Sequence, residues 1–313
     1  MNQKLISVVT PCYNEQDNVE LIYTQVKEIF DELGNYEYEH IFIDNDSQDK
    51  TLSLLENMAQ KDLRVKVIVN ARNFGFVRSL YHGLLQGTGD AVVLIFADLQ
   101  DPPELIIDFL QKWEEGYQVV KGIKISSQEN PLIYSIRRFY YYLVSILAEE
   151  VELTSNFTGF GLYDKQVIEA LRLIDDPYPY LKGLISEVGF YSTNIEYNQK
   201  VRKRGKSSFN FYRMYDLAML GITTYSNFPL RLATMLGFSL SLLSFVVGLG
   251  TLIVKLIFWN YFPIGIAAII VGLFLFSSVQ LFFIGILGEY IGLINRRSLK
   301  RPLVVERKRV NFN

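Results

Sequence analysis

The chain has 313 residues, of which 50% are hydrophobic and 14% aromatic, and its formal net charge is −2. This composition excludes a disordered chain and gives no reason to expect a nucleic-acid partner. The single cysteine, Cys12, excludes an internal disulfide, and His40 and His82 alone are too few for a histidine-rich metal site.

Short β-rich runs alternate with amphipathic helical patterns through the first half of the chain. Strands are predicted at Ile6–Thr10, His40–Ile43, Val65–Asn70 and Ala91–Ala97. Helices are predicted at Asn18–Leu33, Thr51–Gln60 and Val77–Leu85. This alternation predicts an α/β domain with a mostly parallel sheet, which we place at residues 1–200.

Polar segments follow the predicted strands, where ligands bind in parallel sheets. They read T-P-C-Y-N-E at 10–15, D-N-D-S-Q-D at 44–49, N-A-R-N-F-G at 70–75 and A-D-L-Q-D-P-P-E at 97–104. Each segment alone is typical of ordinary turns and helix caps. Their joint order and spacing are more specific.

Two runs without charged residues, 232–254 and 264–288, dominate the C-terminal part. Each is long enough for a membrane-spanning helix, which needs about 20 apolar residues. The pattern predicts a two-helix transmembrane hairpin at 231–295, a juxtamembrane interfacial segment at 201–230 and a basic tail at 296–313. A hairpin buried in a soluble protein is the alternative.

Basic residues flank both ends of the hairpin, whereas its connector carries only Lys255. The N-terminus lacks the features of a signal peptide, so the catalytic domain and both termini are expected in the cytoplasm, with the bilayer as a partner. Gly248, Gly250 and Gly272 would let paired hairpins pack closely, which leaves a homo-oligomer as an expectation.

The four strand-end segments together resemble the GT-A fold (Rossmann-like) of glycosyltransferase family 2. The segment at 97–104, R-K-R-G-K-S-S-F at 202–209 and the predicted hairpin are similar to the polyprenyl-phosphate glycosyltransferases. That group contains the dolichyl-phosphate mannose synthases and the bacterial undecaprenyl-phosphate glucosyl and aminoarabinosyl transferases. The resemblance covers nearly the whole chain and implies an integral protein of a bacterial inner membrane.

The resemblance implies a metal-dependent enzyme that transfers a monosaccharide to undecaprenyl phosphate with inversion. UDP-glucose is the expected donor, and GDP-mannose and UDP-aminoarabinose are alternatives. A processive polysaccharide synthase is a further alternative, although its Q-x-x-R-W segment is absent from the sequence. A catalytically impaired, membrane-tethered protein that only binds nucleotide sugars is the alternative from another class.

The same resemblance implies the donor site. The expected nucleotide-sugar contacts are Pro11, Tyr13, Asn14, Glu15, Asp44, Arg72 and Asp98. Asp98, with help from Gln100, would hold Mg²⁺ or Mn²⁺ at the diphosphate. Phe96 stands where the family usually has the first Asp of D-x-D, so a two-carboxylate clamp would need Asp101 or another residue.

A lipid monophosphate is largely deprotonated at pH 7, so it can attack without a strong general base and instead needs cations to hold it. The candidate lipid-phosphate contacts are Lys124, Arg137, Arg138, Arg202 and Arg204. Arg202 and Ser207 match the family's R-x-x-G-x-S pattern and join Asp98 as expected catalytic residues. Ser208 replaces a usual lysine, and Gly161 replaces a usual arginine.

Overall fold

A computed structural model shows an α/β protein built on one eight-stranded sheet. The structure describes residues 3–126, 154, 156–200, 219–220, 224, 228–257, 266–299 and 301–312. The strands are β1 Lys4–Cys12, β2 Tyr36–Asp44, β3 Val65–Asn70, β4 Ala91–Leu94, β5 Val119–Ser126, β6 Phe157–Asp164, β7 Ser192–Asn198 and β8 Glu306–Val310. The helices are α1 Val19–Leu33, α2 Thr51–Lys61, α3 Phe76–Leu84, α4 Leu105–Glu114, α5 Lys165–Arg172, α6 Leu181–Glu187, α7 Phe228–Ile257 and α8 Ile266–Ser298.

The sheet has the strand order β7-β5-β6-β4-β1-β2-β3-β8. Strand β1 pairs in parallel with β2 and β4, and β2 pairs in parallel with β3, so the central strands end at the same edge. Strand β6 is antiparallel to β4 and β5. The prediction of an α/β fold with a mostly parallel sheet is confirmed.

Helices cover both faces of the sheet, which explains why its central strands are nearly continuous apolar runs. One apolar cluster joins the sheet to α1, α2 and α4, and a second joins it to α3, α5 and α6. In α1, Val19, Ile22, Val26 and Ile29 recur at helical spacing and are buried. The helix stops where Gly34 adopts a positive φ of 60°.

The C-terminal part corrects the prediction of membrane insertion. Helices α7 and α8 form and contact each other. No helix in the described part of the chain combines the length and apolar character that a membrane crossing requires, about 20 consecutive apolar residues. The transmembrane hairpin at 231–295 is therefore unsupported. The predicted location as an integral inner-membrane protein, with its cytoplasmic topology, is wrong.

The last residues of the chain return to the sheet instead of forming a separate tail. Strand β8 lies antiparallel to β3 and covers what would otherwise be an exposed sheet edge. Beyond it, the Asn311 side chain donates to the carbonyls of Ala59 and Val65 at 2.7 and 2.8 Å. At its start, Glu306 contacts His82 of α3 at 2.6 Å. The sequence did not predict this strand.

Candidate active site

The carboxyl ends of β1, β2 and β4 bring the predicted donor-site segments to one edge of the sheet. In the register of β1 and β2, Cys12 lies beside Asp44, and Pro11 lies beside Ile43. Strand β4 lies on the other side of β1 and leads into the turn that carries Asp98. The segment after β1 therefore lies between the Asp44 turn and the Asp98 turn.

Hydrogen bonds fix the loop after β1 to the loop after β2. The Asn14 amide donates to Ser47 Oγ at 2.9 Å, and the Gln48 amide donates to Asn14 Oδ1 at 2.8 Å. The Glu15 amide donates to Thr51 Oγ1 at 2.8 Å. Asn14 has a φ of 55°, a conformation that asparagine tolerates better than most residues. The predicted donor contacts Pro11 and Tyr13–Glu15 thus lie at the end of β1 and in a loop that hydrogen bonds hold against the loop after Asp44.

Asp44 is a fully buried carboxylate whose hydrogen bonding is incomplete. Its Oδ2 accepts from the Ser47 amide at 3.3 Å, whereas its Oδ1 has no partner among the described residues. Burial raises the pKa of this carboxyl, and the Ser47 contacts oppose that rise. An unpartnered buried oxygen is costly, so it is a natural acceptor for hydroxyl or N–H groups of a ligand.

Asn45, directly after Asp44, links the loop after β2 to the loop after β3. Its Nδ2 donates to Asn73 Oδ1 at 3.0 Å, and its Oδ1 accepts from the Phe74 amide and from Asn70 Nδ2, each at 3.0 Å. An amide can donate and accept at once, which suits this position between two loops. Asn residues recurring at neighbouring strand ends are the pattern that could have predicted this network.

Arg72 lies in the same loop, at its surface. Its guanidinium donates to the Asn73 carbonyl at 3.0 Å and lies 4.0 Å from the centre of the Phe74 ring. These contacts hold the arginine beside the loop after β3. Its predicted contact with the nucleotide stays a prediction.

The turn after β4 carries the predicted metal residues. Asp98 is half-buried, and its Oδ1 accepts from the Gln100 amide at 3.2 Å across Leu99, which has a φ of 55°. The described residues contain no cluster of three acidic, histidine or cysteine side chains that could hold a metal ion alone. One carboxylate with an amide oxygen nearby instead fits Mg²⁺, which is commonly held by one or two carboxylates together with substrate phosphates. Phe96 contributes an apolar ring packed 5.7 Å from that of Phe76.

Asp101 is buried and hydrogen-bonded to Tyr197. It is 2% exposed, and its Oδ1 accepts from the Tyr197 hydroxyl at 2.5 Å. Burial raises the pKa of Asp101 to about 6, with the nearby Asp98 charge adding to the rise and Lys124 opposing it. This carboxyl connects the turn after β4 to β7.

We expect Asp101 to make the free energy of unfolding fall as pH rises between about 4 and 7. Its folded-state pKa of about 6 exceeds the ordinary value of 3.8, so its stabilising contribution is complete below pH 4 and is lost as the folded carboxyl ionises. The loss should reach ~2–3 kcal/mol. Chemical denaturation at pH 4.5, 6.0 and 7.5 should show a flatter profile for Asp101→Asn than for the wild type.

Glu104→Gln is the matched control, because Glu104 is an exposed carboxylate of the same segment, 3.3 Å from Lys200. It should follow the wild-type profile. Superimposable profiles for wild type and Asp101→Asn would show that Asp101 does not titrate in this interval.

The backbone before the predicted Arg202 lies beside the Asp98 turn. The Lys200 amide donates to the Gln100 carbonyl at 2.9 Å, and Gln100 Nε2 donates to the Lys200 carbonyl at 3.4 Å. Lys124 Nζ donates to Gln199 Oε1 at 3.0 Å. Of the predicted acceptor and catalytic residues, the following lie outside the described residues: Arg137, Arg138, Arg202, Arg204 and Ser207.

Gly161 has a packing reason that excludes the family's usual arginine. A side chain there would place its Cβ 2.3 Å from the Val120 carbonyl oxygen. Strand β6 runs between β4 and β5 at this point, so the backbone leaves no room for a larger residue. Position 161 therefore supplies no cation to an acceptor.

The chain is similar to known glycosyltransferases. The sequence model described as Glycosyl transferase family 2 matches residues 7–172. An uncharacterized glycosyltransferase, YkcC of Bacillus subtilis (strain 168), is 33% identical, and the match covers 96% of this chain and 93% of that protein. A bactoprenol glucosyl transferase of Shigella phage SfV is 35% identical over 95% of this chain and 96% of the relative.

A solved glucosyl-3-phosphoglycerate synthase of Mycobacterium tuberculosis is also similar, with 19% identity and a TM-score of 0.48 over 71% of this chain and 79% of that one. The family match covers more than half of the chain and includes the turns that carry Asp44 and Asp98. The relatives match almost end to end at more than 30% identity. The chain therefore belongs to glycosyl transferase family 2.

Proposed function

We propose that the protein transfers glucose from UDP-glucose to a polyprenyl phosphate such as undecaprenyl phosphate, with inversion at the anomeric carbon. The observation that carries this proposal is that two carboxylates lie along one sheet edge. Asp44 is buried with one oxygen that lacks a hydrogen-bond partner among the described residues, and Asp98 is half-buried. A relative that matches over 96% of its length bears the name bactoprenol glucosyl transferase, which supports both the sugar and the acceptor class.

Asp44 would bind the nucleoside end of the donor. Its unpartnered Oδ1 can accept from a base N–H or from a ribose hydroxyl. The loop after β1, held by the contacts of Asn14 and Glu15, would form the facing wall. Because these loops are already hydrogen-bonded to each other, little ordering remains to oppose binding.

Asp98 and Gln100 would hold a divalent cation, Mg²⁺ or Mn²⁺, at the diphosphate end. When bound, this ion would neutralise the charge that develops on the departing diphosphate. The half-buried Asp98 carboxylate is suited to such a ligand because its Oδ1 already accepts from the Gln100 amide, which orients it. The Lys200 and Gln100 hydrogen bonds keep the turn in place.

The acceptor phosphate would attack the anomeric carbon from the face opposite the diphosphate. An oxygen–carbon bond forms to the phosphate, the bond to the donor diphosphate breaks, and UDP leaves with the electron pair. Because the second pKa of a phosphate monoester is near 6, its oxygen needs no proton acceptor at pH 7. Lys124 and the family-pattern residues Arg202 and Ser207 are the proposed phosphate contacts.

The test is transfer of labelled sugar from UDP-glucose, GDP-mannose and UDP-aminoarabinose to a short polyprenyl phosphate in detergent, with Mg²⁺, with Mn²⁺ and with chelator. The expected result is one metal-dependent lipid-phosphate glucose from UDP-glucose, inverted in configuration by NMR. A product that retains configuration would overturn the single displacement. Binding of UDP-glucose without transfer to any lipid phosphate would instead support a protein that only binds nucleotide sugars, an alternative that Phe96 favours because it removes a carboxylate.

A further inference from the structure

The C-terminal strand β8 carries a charged side chain to the donor-binding edge of the sheet, at a point where its pairing with β3 is irregular. In the register of β3 and β8, Val69 pairs with Lys308 and Asn70 pairs with Glu306. Arg307 is therefore the extra residue of a β-bulge at the carboxyl end of β3. Bulges redirect a side chain, and they recur beside active sites.

Arg307 points toward the turn after β2. Its Nη1 lies 3.8 Å from Asp46 Oδ1, and its positive charge lowers the pKa of the buried Asp44, against the effect of burial. Asp46 has a φ of 64°, which holds the turn in an uncommon conformation. The guanidinium thus lies at the turn that follows Asp44, the carboxylate that we assign to the nucleoside.

The contact with Asp46 does not use the hydrogen-bonding capacity of Arg307. At 3.8 Å it is longer than a hydrogen bond, and the arginine side chain is 51% exposed, so the pair contributes little to stability. Within the described residues no hydrogen bond of the Arg307 guanidinium is formed. Its neighbour Lys308, in contrast, reaches Glu56 at 2.9 Å. The planar fork of N–H donors on Arg307 is available to a ligand.

The strand order decides which part of a nucleotide Arg307 would meet. Asp98 follows β4, two strands from the end of β2, which corresponds to about 10 Å across a sheet. Arg307 approaches the β2 turn from β8, on the side away from Asp98. A diphosphate at Asp98 therefore places the base, not the phosphates, within reach of Arg307.

A carboxylate and a guanidinium at the same turn together complement one particular pattern on a base. Asp44 can accept from a ring N–H, and Arg307 can donate to an adjacent carbonyl oxygen. Uracil and guanine present this N–H next to a carbonyl, whereas cytosine and adenine do not. We propose that Arg307, carried by the C-terminal strand, is a base-binding residue that works with Asp44 to select a donor with such a base. This inference rests on the proposed function, because it takes the Asp44 turn as the nucleoside site.

The test compares Arg307→Gln with Lys308→Gln in the full-length protein. Both changes remove one positive charge from adjacent residues of the same strand, so the effect on net charge is shared, and Lys308→Gln in addition removes the contact of β8 with Glu56. Calorimetric titration with UDP, GDP and CDP in the presence of Mg²⁺ measures binding without any acceptor. We expect Arg307→Gln to weaken binding of the preferred nucleotide by about tenfold, which corresponds to one hydrogen-bonded contact, and to reduce its preference over CDP. Lys308→Gln should bind as the wild type does.

Equal losses for UDP, GDP and CDP, or Arg307→Gln binding as tightly as Lys308→Gln, would overturn the proposal. Arg307→Lys keeps the charge but not the planar fork, so it should bind phosphates normally and discriminate poorly between bases. A wild type that binds UDP but transfers no sugar would end the proposed transfer reaction and leave the role of Arg307 standing. Intact transfer with an unaffected Arg307→Gln variant would end only the present inference.

Discussion

Replacing Asp98 with asparagine is expected to lower kcat for sugar transfer by about 10³-fold, because the change removes the carboxylate that we propose as the ligand of a diphosphate-bound cation. Asn keeps the size of the side chain and can still accept from the Gln100 amide, so the turn should remain folded. Steady-state transfer to a short polyprenyl phosphate at saturating donor measures the effect.

A chelator gives this prediction a second readout. If Asp98 and the metal ion act as one unit, removing both should do little more than removing either, since such effects are not additive. The wild type should lose most of its activity in chelator, whereas Asp98→Asn should change little further. Asp108→Asn is the matched control, because Asp108 is an exposed carboxylate of the following helix. An Asp98→Asn variant with near-normal, chelator-sensitive activity would place the metal on other residues.

Local patterns predicted the parts of the fold that are determined locally. The run Ile6–Thr10 identifies β1 because a strand buried on both faces is a nearly continuous apolar run. The spacing of apolar residues in Asn18–Leu33 identifies α1 because one helix face is buried. The polar segments after the strands were also predictable as a site, because parallel strands end at a common edge, where ligands bind.

Contacts between distant segments were not predictable in this way. The sequence of β8, Glu306–Val310, is mostly charged and shows no alternation of apolar residues, so nothing local marks it as a strand. It forms because β3 offers an unpaired edge. The bond between Asp101 and Tyr197 joins residues 96 positions apart, and only the folded sheet brings them together.

The membrane prediction failed for a different reason. Counting uncharged residues between 232 and 254 shows that charge is absent there but does not measure the apolar character of a whole helix, and no helix in the described residues has the length and apolar character of a span. In the described residues Leu293 of α8 packs with Tyr180 and Leu220. The end of α8 is therefore attached to the domain that carries the site.

We expect Asp44→Asn to weaken donor binding while stabilising the protein without donor. The carboxylate is fully buried, and its Oδ1 has no partner in the described part of the chain, so its charge destabilises the folded state. Burial raises its pKa, and its stabilising contribution at low pH is therefore lost as pH rises through the folded pKa. Asp44→Asn should therefore raise the free energy of unfolding more at pH 7 than at pH 4. The increase at pH 7 should be about 1 kcal/mol. Chemical denaturation at the two pH values measures it.

UDP titration of the same variant in Mg²⁺ should show affinity reduced by about 10–100-fold, because a ligand N–H or hydroxyl loses a charged acceptor. Asp31→Asn is the control, because it removes an exposed carboxylate that pairs with Lys27. It should change neither UDP binding nor the pH dependence of the free energy of unfolding. A stabilised Asp44→Asn that binds UDP normally would place the nucleoside elsewhere. Replacing a residue that serves packing would reduce both stability and binding. A carboxylate that serves a ligand instead destabilises the folded protein until the ligand binds. Opposite signs for stability and affinity are therefore the result that separates the two roles of Asp44.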